Sequence, residues 1–441
     1  MNIRAPRPGL LRIGTTLPAS RPIASFSLPK STPRRNITTR DRRGISSLVA
    51  TREQYRPIIS DSLSGLAKSK QQQQLRMASK ITDWVKPGDS SGEFKRQSSS
   101  FRDWISKEPG AKFPPEKGRY HLYVSYACPW ATRTLIARKL KGLEDFISFS
   151  SVHWHMGEKG AFSFPIRLAR TTREVTRSVH ANNAIGWRFA MPEDTDAEGE
   201  NVIPDPVPGH EKYTHLRDLY FAVDPNYSGR FTVPVLFDKK TNTIVNNESS
   251  EILRMLGYVF DDQLPEQYAK VDLYPEPLRA QIEEAHEWTY DRINNGVYKS
   301  GFATTQAAYE RNVTSLFEAL DKAEKHLAES GGPYFFGDKI TEVDVRLFPT
   351  LVRFDPVYVQ HFKCNVRDIR SGYPHLHKYT RNLYWNHAAF KEPTNFLHIK
   401  NHYTRSHTQI NPHSITPLGP VPDILPLDEE VEAVKAALAT R

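Results

Sequence analysis

The sequence predicts a thioredoxin-like α/β domain followed by an all-helical domain. Three observations predict it: a strand–helix–strand pattern over 120–152, a strand–strand–helix pattern over 231–257, and helical periodicity alone after residue 275. The order βαβ then ββα is that of the thioredoxin fold. Val233-Pro234 also falls where that fold places a cis-proline facing its active site.

Tyr120-His121-Leu122-Tyr123-Val124-Ser125-Tyr126 is rich in aromatic and β-branched residues and reads as a strand. Pro129 suits a first helical position, and Leu135, Ile136, Lys139 and Leu140 recur at helical spacing until Gly142. Phe146 to Val152 returns to strand character, and a long irregular stretch follows. Phe231 to Phe237 and Thr243 to Asn246 flank a polar turn as a hairpin does, and Ser249 to Leu256 forms a short helix ended by Gly257. Beyond Tyr274-Pro275, Leu278, Ile282, Ala285 and Ile293 make one apolar helical face; Leu316, Phe317, Leu320, Ala323 and Leu327 make another, ending at Gly331-Gly332. Asp344 to Val359 is apolar and broken by Pro349 and Pro356, as in a buried helix that kinks or ends.

The 441 residues, 38% of them hydrophobic, describe a soluble protein of about two domains. With two cysteines there is no disulfide framework, four-cysteine zinc site or iron–sulfur cluster, and a reducing compartment is expected. No apolar run approaches the ~20 residues that span a bilayer. The net charge of +10 is concentrated in residues 1–80, which carry 16 Lys and Arg against 3 Asp and Glu; the rest is close to neutral. Nucleic-acid binding therefore loses its electrostatic argument. The first 40 residues hold no acid and intersperse Arg4, Arg7, Arg12, Arg21, Arg34, Arg35 and Arg40 with Ser, Thr, Pro and Leu, the composition of an organelle transit peptide. Met77, after the run Gln71-Gln72-Gln73-Gln74, has the look of a second start, so a mitochondrial product, a cytoplasmic one, or both are expected.

Cys128, in Ala127-Cys128-Pro129-Trp130-Ala131, falls at a strand-to-helix boundary, where orphan N–H groups and the positive dipole end favour thiolate. A dithiol oxidoreductase needs a second cysteine three residues on, and that position is Ala131. A monothiol intermediate is cleared by an external thiol, for which glutathione is the cellular candidate. Cys364, in the helical part, reads as structural. An anionic tripeptide needs exposed backbone and a helix N-terminus: Val233, before the proline, offers the first, and Glu248-Ser249 the second. Taken alone, Ser249 is a helix cap.

Cys128-Pro129-Trp130-Ala131, Gly229-Arg230-Phe231-Thr232-Val233-Pro234-Val235-Leu236, Asn246-Asn247-Glu248-Ser249, Asn294-Asn295-Gly296-Val297-Tyr298-Lys299-Ser300-Gly301-Phe302-Ala303 and His398-Ile399-Lys400-Asn401-His402-Tyr403 together resemble the glutathionyl-hydroquinone reductases, the xi class of glutathione transferases. The resemblance runs from about Ile81 to about Leu427; its first motif is shared with omega-class enzymes. It implies reduction of S-glutathionyl-hydroquinones through a mixed disulfide on Cys128, with glutathione as co-substrate. It also implies that Trp187, Arg230, Val233, Glu248 and Ser249 bind glutathione, that Tyr298 and Tyr403 contact the hydroquinone hydroxyls, and that the chain is a homodimer. Without the resemblance, ordinary packing explains either tyrosine.

The chain departs from the family at two places. Family members commonly carry two adjacent tyrosines after the His, whereas here Tyr403 is followed by Thr404-Arg405. In the family pattern Gly157-Glu158-Lys159-Gly160 runs directly into Trp187-Arg188-Phe189; here residues 161–186 intervene, read as a retained intron or, failing that, a disordered loop insertion that displaces a glutathione contact at Trp187.

The expected organisation is a disordered leader over 1–77, an N-terminal arm over 78–112, a thioredoxin-like glutathione-binding domain over 113–262 with the insertion 161–186, and a helical substrate-binding domain over 275–430. His398 and His402 lack the Glu of a zinc-protease motif, and His153 and His155, alternating on a strand end, share one face; packing, hydrogen bonding or pocket lining is expected of them rather than metal binding. With no P-loop and no Rossmann fingerprint, no nucleotide cofactor is expected. Two other functions compete with the reductase: an omega-like thioltransferase or dehydroascorbate reductase, and a non-catalytic binding module on a transferase scaffold.

Overall fold

In the computed structural model, residues 90–157 and 186–427 are described. The leader with Met77, the start of the arm and nearly all of the insertion 161–186 lie outside the described residues. Strand β1 (Tyr120–Val124) leads into helix α1 (Pro129–Leu140) and strand β2 (Ile147–Ser151). Helix α2 (Leu216–Val223), strands β3 (Val235–Asp238) and β4 (Thr243–Asn246) and helix α3 (Ser249–Leu256) follow. The sheet order is β2-β1-β3-β4, with β1 parallel to β2 and antiparallel to β3, and β3 antiparallel to β4. Every residue of β1 is buried, so even its polar member must be satisfied inside: the His121 ring lies 2.8 Å from Ser148 Oγ and 2.9 Å from Ser150 Oγ on β2. Burial pushes that imidazole down to about 3.

The first expected hairpin strand starts only at Val235, after Pro234, which has no N–H to give to a ladder; the Val233–Pro234 peptide is cis. The stretch expected to be irregular contains α2. Its His215 and Asp218 form a reciprocal capping box, and Leu216, Leu219 and Tyr220 bury its inner face.

Beyond the sheet the chain is helical: α4 (Arg279–Trp288), a π-helical turn (Thr289–Asn294), α5 (Gly296–Gly301), α6 (Gln306–Glu329), α7 (Glu342–Arg353), a second π-helical turn (Phe354–Tyr358), α8 (Pro374–Asn386) and α9 (Phe396–Ser406). The apolar face expected of α6 is buried throughout. α7 opens on a Thr341/Asp344 capping box, carries Pro349 internally and gives way to the π turn containing Pro356. A side chain at Gly301 would meet the Phe362 ring at 2.1 Å, so glycine lets α5 close on that ring. Helix α1 packs against α3 and α7, and one continuous apolar core runs through both parts. Among the described residues no helix is long and apolar enough to cross a membrane.

Candidate functional site

All eight candidate site residues singled out from the sequence line one cleft. Cys128 is the N-cap of α1, its backbone extended at φ −82° and ψ 118°, and Pro129 occupies the first helical position. The sulfur therefore sits at the helix mouth, partly buried, with Sγ donating to Val233 O at 3.5 Å. This contact ties the nucleophile candidate to the carbonyl before the proline.

The expectation that the helix end lowers the thiol pKa needs correcting. Burial pushes Cys128 above its ordinary value, and the N–H groups of Ala131 and Trp130, with the charges of Arg353 and Arg96, pull against it without overcoming it. The sequence reading counted the dipole and left out the desolvation of an enclosed cleft. Cys364 is fully buried beside Phe362, as a structural cysteine is.

A second helix end completes one wall. Glu248, not Ser249, caps α3: its Oε1 accepts from Ser250 N at 3.4 Å and Ser250 Oγ at 3.3 Å, while Ser249 is the first helical residue. Ser99 Oγ donates to Glu248 Oε2 at 2.9 Å and to Asn247 O at 3.1 Å. The arm carrying Ser99 runs along the β4 edge, with an antiparallel bridge between Arg102 and Asn246 and a bond from Asp103 N to Val245 O at 3.0 Å.

That arm brings in Arg96, which the sequence reading missed. Its guanidinium lies 4.4 Å from the Trp130 ring centroid and 5.0 Å from that of Tyr298, and Nε donates to Asn295 Oδ1 at 2.6 Å. Arg230 stands on the same cleft, where burial and the charge of Arg96 both lower its pKa. Two arginines and two helix N-termini facing one cleft form a cradle for an anionic ligand.

Trp187 lines the cleft despite adjoining the insertion. It forms an antiparallel bridge with Met156 and stacks on His402 with centroids 4.7 Å apart. The chain therefore leaves for residues 158–185 and returns at one place, and the expected displacement of this tryptophan is not observed. His402 is fixed by Trp154 O at 2.8 Å from its Nδ1. β2 stops at Ser151, so His153 and His155 do not alternate on a strand, and neither lines the cleft. His153 Nδ1 accepts from His155 N at 2.9 Å, which leaves Nε2 to donate to Asp196 at 3.2 Å. The neighbouring Asp194 is held by Arg188 at 2.6 and 3.2 Å.

The opposite wall is phenolic. Tyr298 on α5 and Tyr403 on α9 are buried, with hydroxyls 2.5 Å apart, and Tyr358, on the π turn after α7, lies 3.1 Å from Tyr403. Behind Cys128, Arg353 is completely buried and donates to Ala127 O at 3.2 Å, Tyr126 O at 2.9 Å, Thr132 Oγ1 at 2.9 Å and Pro349 O at 2.8 Å. Every one of these acceptors is neutral, so its charge acts on the cleft undiminished by a carboxylate bond. The only sequence signal for Arg353 was a cation, like Arg346, inside a largely apolar segment.

Comparison with known proteins places this geometry. The family model "Glutathione S-transferase, N-terminal domain" matches residues 127–258, and "Glutathione S-transferase, C-terminal domain" matches 306–382. Glutathione S-transferase omega-like 2 of Schizosaccharomyces pombe is 52% identical over 345 residues, covering 78% of this chain and 97% of its own. Glutathionyl-hydroquinone reductase YqjG of Escherichia coli is 44% identical over 348 residues, 77% of this chain and 93% of its own. The solved Xi glutathione transferase ECM4 of Saccharomyces cerevisiae, in complex with glutathione, superposes with a TM-score of 0.66 at 46% identity, covering 76% of this chain and 100% of its own. Similarity of this degree over nearly the whole of each relative, together with the thioredoxin-like and helical parts described above, has one meaning: the chain is an enzyme of the glutathione transferase family and belongs to its Xi class.

Proposed function

We propose that the enzyme reduces S-glutathionyl-hydroquinones to hydroquinones through a mixed disulfide between Cys128 and glutathione, releasing glutathione disulfide. One observation carries the reading: a lone thiol and a hydrogen-bonded phenol pair, Tyr298 and Tyr403, face the same cleft. Disulfide exchange needs only the thiolate, whereas cleaving a carbon–sulfur bond also requires a proton for the ring carbon.

The chemistry balances as follows. Protonation of the sulfur-bearing ring carbon, with loss of a hydroxyl proton, converts that edge of the ring to its keto form. The Cys128 thiolate attacks the glutathione sulfur, so an S–S bond forms as the C–S bond breaks. The electron pair returns to the ring as a phenolate, which takes up a proton to complete the hydroquinone. A second glutathione thiolate then attacks the mixed disulfide and frees Cys128. Tyr298 and Tyr403 contact the hydroquinone hydroxyls, a role that phenols, as both donors and acceptors, can fill.

Glutathione fits the opposite wall by chemistry. The Val233 backbone pairs with the cysteinyl unit; Ser249, the α3 N-terminus and the Glu248 carboxylate take the γ-glutamyl end; Arg230 and Trp187 hold the remainder. The Xi relative solved in complex with glutathione supports glutathione as the ligand. The test is chromatographic turnover of a glutathionyl-hydroquinone beside a glutathione mixed disulfide. Release of hydroquinone is expected; full activity on the disulfide with none on the thioether would favour the omega-like thioltransferase instead.

A further inference from the structure

We infer that Arg96, carried into the cleft by the N-terminal arm, is a catalytic residue that contacts and stabilises the phenolate formed when glutathione leaves the ring. The inference rests on the proposed reductase reaction and assigns the group that meets the charge developed in it.

The arm is tied down on both sides of Arg96. Ahead of it, Gly92 O accepts from Thr304 N at 3.1 Å, and the buried Phe94 ring packs on Tyr298 and Phe302 with centroids 6.2 and 5.7 Å apart. Behind it, Phe101 N donates to Asn247 Oδ1 at 3.1 Å, beside the Ser99 bonds to the start of α3. The guanidinium held between these anchors lies against Trp130 and Tyr298 and lines the cleft with Cys128. Its Nε donates to Asn295 Oδ1, the side chain of the residue that opens α5 and that makes no capping bond there. Asn295 is neutral, among the described residues no carboxylate hydrogen-bonds Arg96, and its enclosed Nη2 has no hydrogen-bond partner among them. The positive charge is thus fixed in place and left uncancelled at the phenol wall.

The reaction moves charge across the cleft. It begins as thiolate on Cys128, and when the C–S bond breaks the electron pair arrives on a ring oxygen as phenolate. Two cations stand along that path. Burial raises both Cys128 and Tyr298; of the two arginines that oppose it, Arg353 acts more strongly on Cys128 and Arg96 more strongly on Tyr298. Charge leaving the sulfur therefore passes from the field of Arg353 into that of Arg96. A cation nearer the end of the path than its beginning stabilises the transition state more than the ground state, which is what accelerates the step.

Arg96→Met removes the charge and leaves the arm's other anchors. The expected result is a kcat on the glutathionyl-hydroquinone lower by about 10- to 100-fold, the scale of one preorganised donor lost to a developing charge, with glutathione affinity unchanged. Arg96→Lys, a cation without the planar fork, recovers part of the loss. Across conjugates whose rings carry electron-withdrawing or electron-donating substituents, log kcat of the Met variant falls more steeply with phenol pKa than that of the parent, because the ring then carries its charge unaided. A merely structural role would slow all conjugates alike. Independently of turnover, the phenol of bound S-(hydroxynitrophenyl)glutathione, followed by its absorbance, titrates about one pH unit lower on the parent than on the Met variant, which corresponds to a tenfold preference for the anion. Equal slopes, a glutathione affinity that falls as far as kcat, Lys and Met variants that behave alike, or an unmoved nitrophenol titration would overturn the inference. A parent enzyme inert toward every conjugate would instead refute the reductase reading, and the nitrophenol titration would still decide whether Arg96 meets the ring oxygens.

Discussion

Arg353→Met removes the cation behind the nucleophile while keeping much of the side chain's bulk. In the folded protein Arg353 bonds Tyr126 O and Ala127 O, the two carbonyls preceding Cys128. Its bond to Pro349 O duplicates one that the helix backbone makes for itself. The loss that matters is therefore two buried loop carbonyls left without a donor, at about 1–3 kcal/mol each, partly offset because no charge then has to be buried. The expected net loss of stability is about 3 kcal/mol, read from the urea midpoint. A second effect is electrostatic: Arg353 opposes the burial that raises the Cys128 thiol, so its removal raises that pKa further and slows alkylation at neutral pH. Arg353→Lys separates the two, because an ammonium keeps the charge but lacks the planar fork. It should restore much of the alkylation rate and little of the stability. The reasoning fails if the Met variant stays within ~0.5 kcal/mol of the parent, the range of an ordinary surface change, or if Lys and Met alkylate equally slowly.

Further outcomes follow from the same geometry. Glu248→Gln weakens glutathione binding by about tenfold in calorimetry, the scale of one charge-assisted hydrogen bond, with a smaller change in kcat; unchanged affinity would remove Glu248 from the site. Excising residues 161–186 leaves Gly157-Glu158-Lys159-Gly160 to join Met156 to Trp187, which already pair as a β-bridge. Because closing a loop costs about 0.6 kcal/mol more per doubling of its length, the shortened chain should be at least as stable and retain the glutathione site, and loss of folding would contradict this. Acid stability is set by buried neutral histidines: burial holds His121 and His402 down to about 3 and His286 and His361 to about 4. The unfolded chain takes up protons near the ordinary histidine pKa while the folded one does not. Stability is therefore full above about pH 7 and falls as pH drops from ~6.5 toward 4, by up to ~1.4 kcal/mol per pH unit for each such group. Urea midpoints at pH 7.5, 6 and 5 check the slope; a flat profile would mean these rings are protonated when folded.

The local parts of the fold were legible because their signals are local. The Cys128-Pro129 helix start, the α3 segment closed by Gly257 and the buried face of α6 each follow from capping or periodicity within a few residues. Helix α2 escaped notice because its start is a His/Asp capping box rather than the usual Ser or Thr pattern, and its eight residues hold too few repeats to stand out. The site was read in halves. The residues proposed to hold glutathione sit, Trp187 apart, in motifs, whereas Arg96, Arg353 and Tyr358 reach Cys128 or the phenols only through tertiary packing. Arg353 lies 225 positions from Cys128, and nothing in its neighbours announces the contact. The thiol's protonation shows the same divide: a helix N-terminus can be read from sequence, but the enclosure that opposes it cannot.

The central claim is a single sulfur that takes glutathione from carbon. It is tested most directly by mixing the enzyme with one equivalent of a glutathionyl-hydroquinone in the absence of free glutathione, quenching in acid and locating the adduct by mass spectrometry. The account predicts one hydroquinone released per enzyme molecule and one glutathionyl group on Cys128, removed on adding glutathione. Hydroquinone release with Cys128 unmodified, or a glutathionyl group on Cys364 instead, would contradict it.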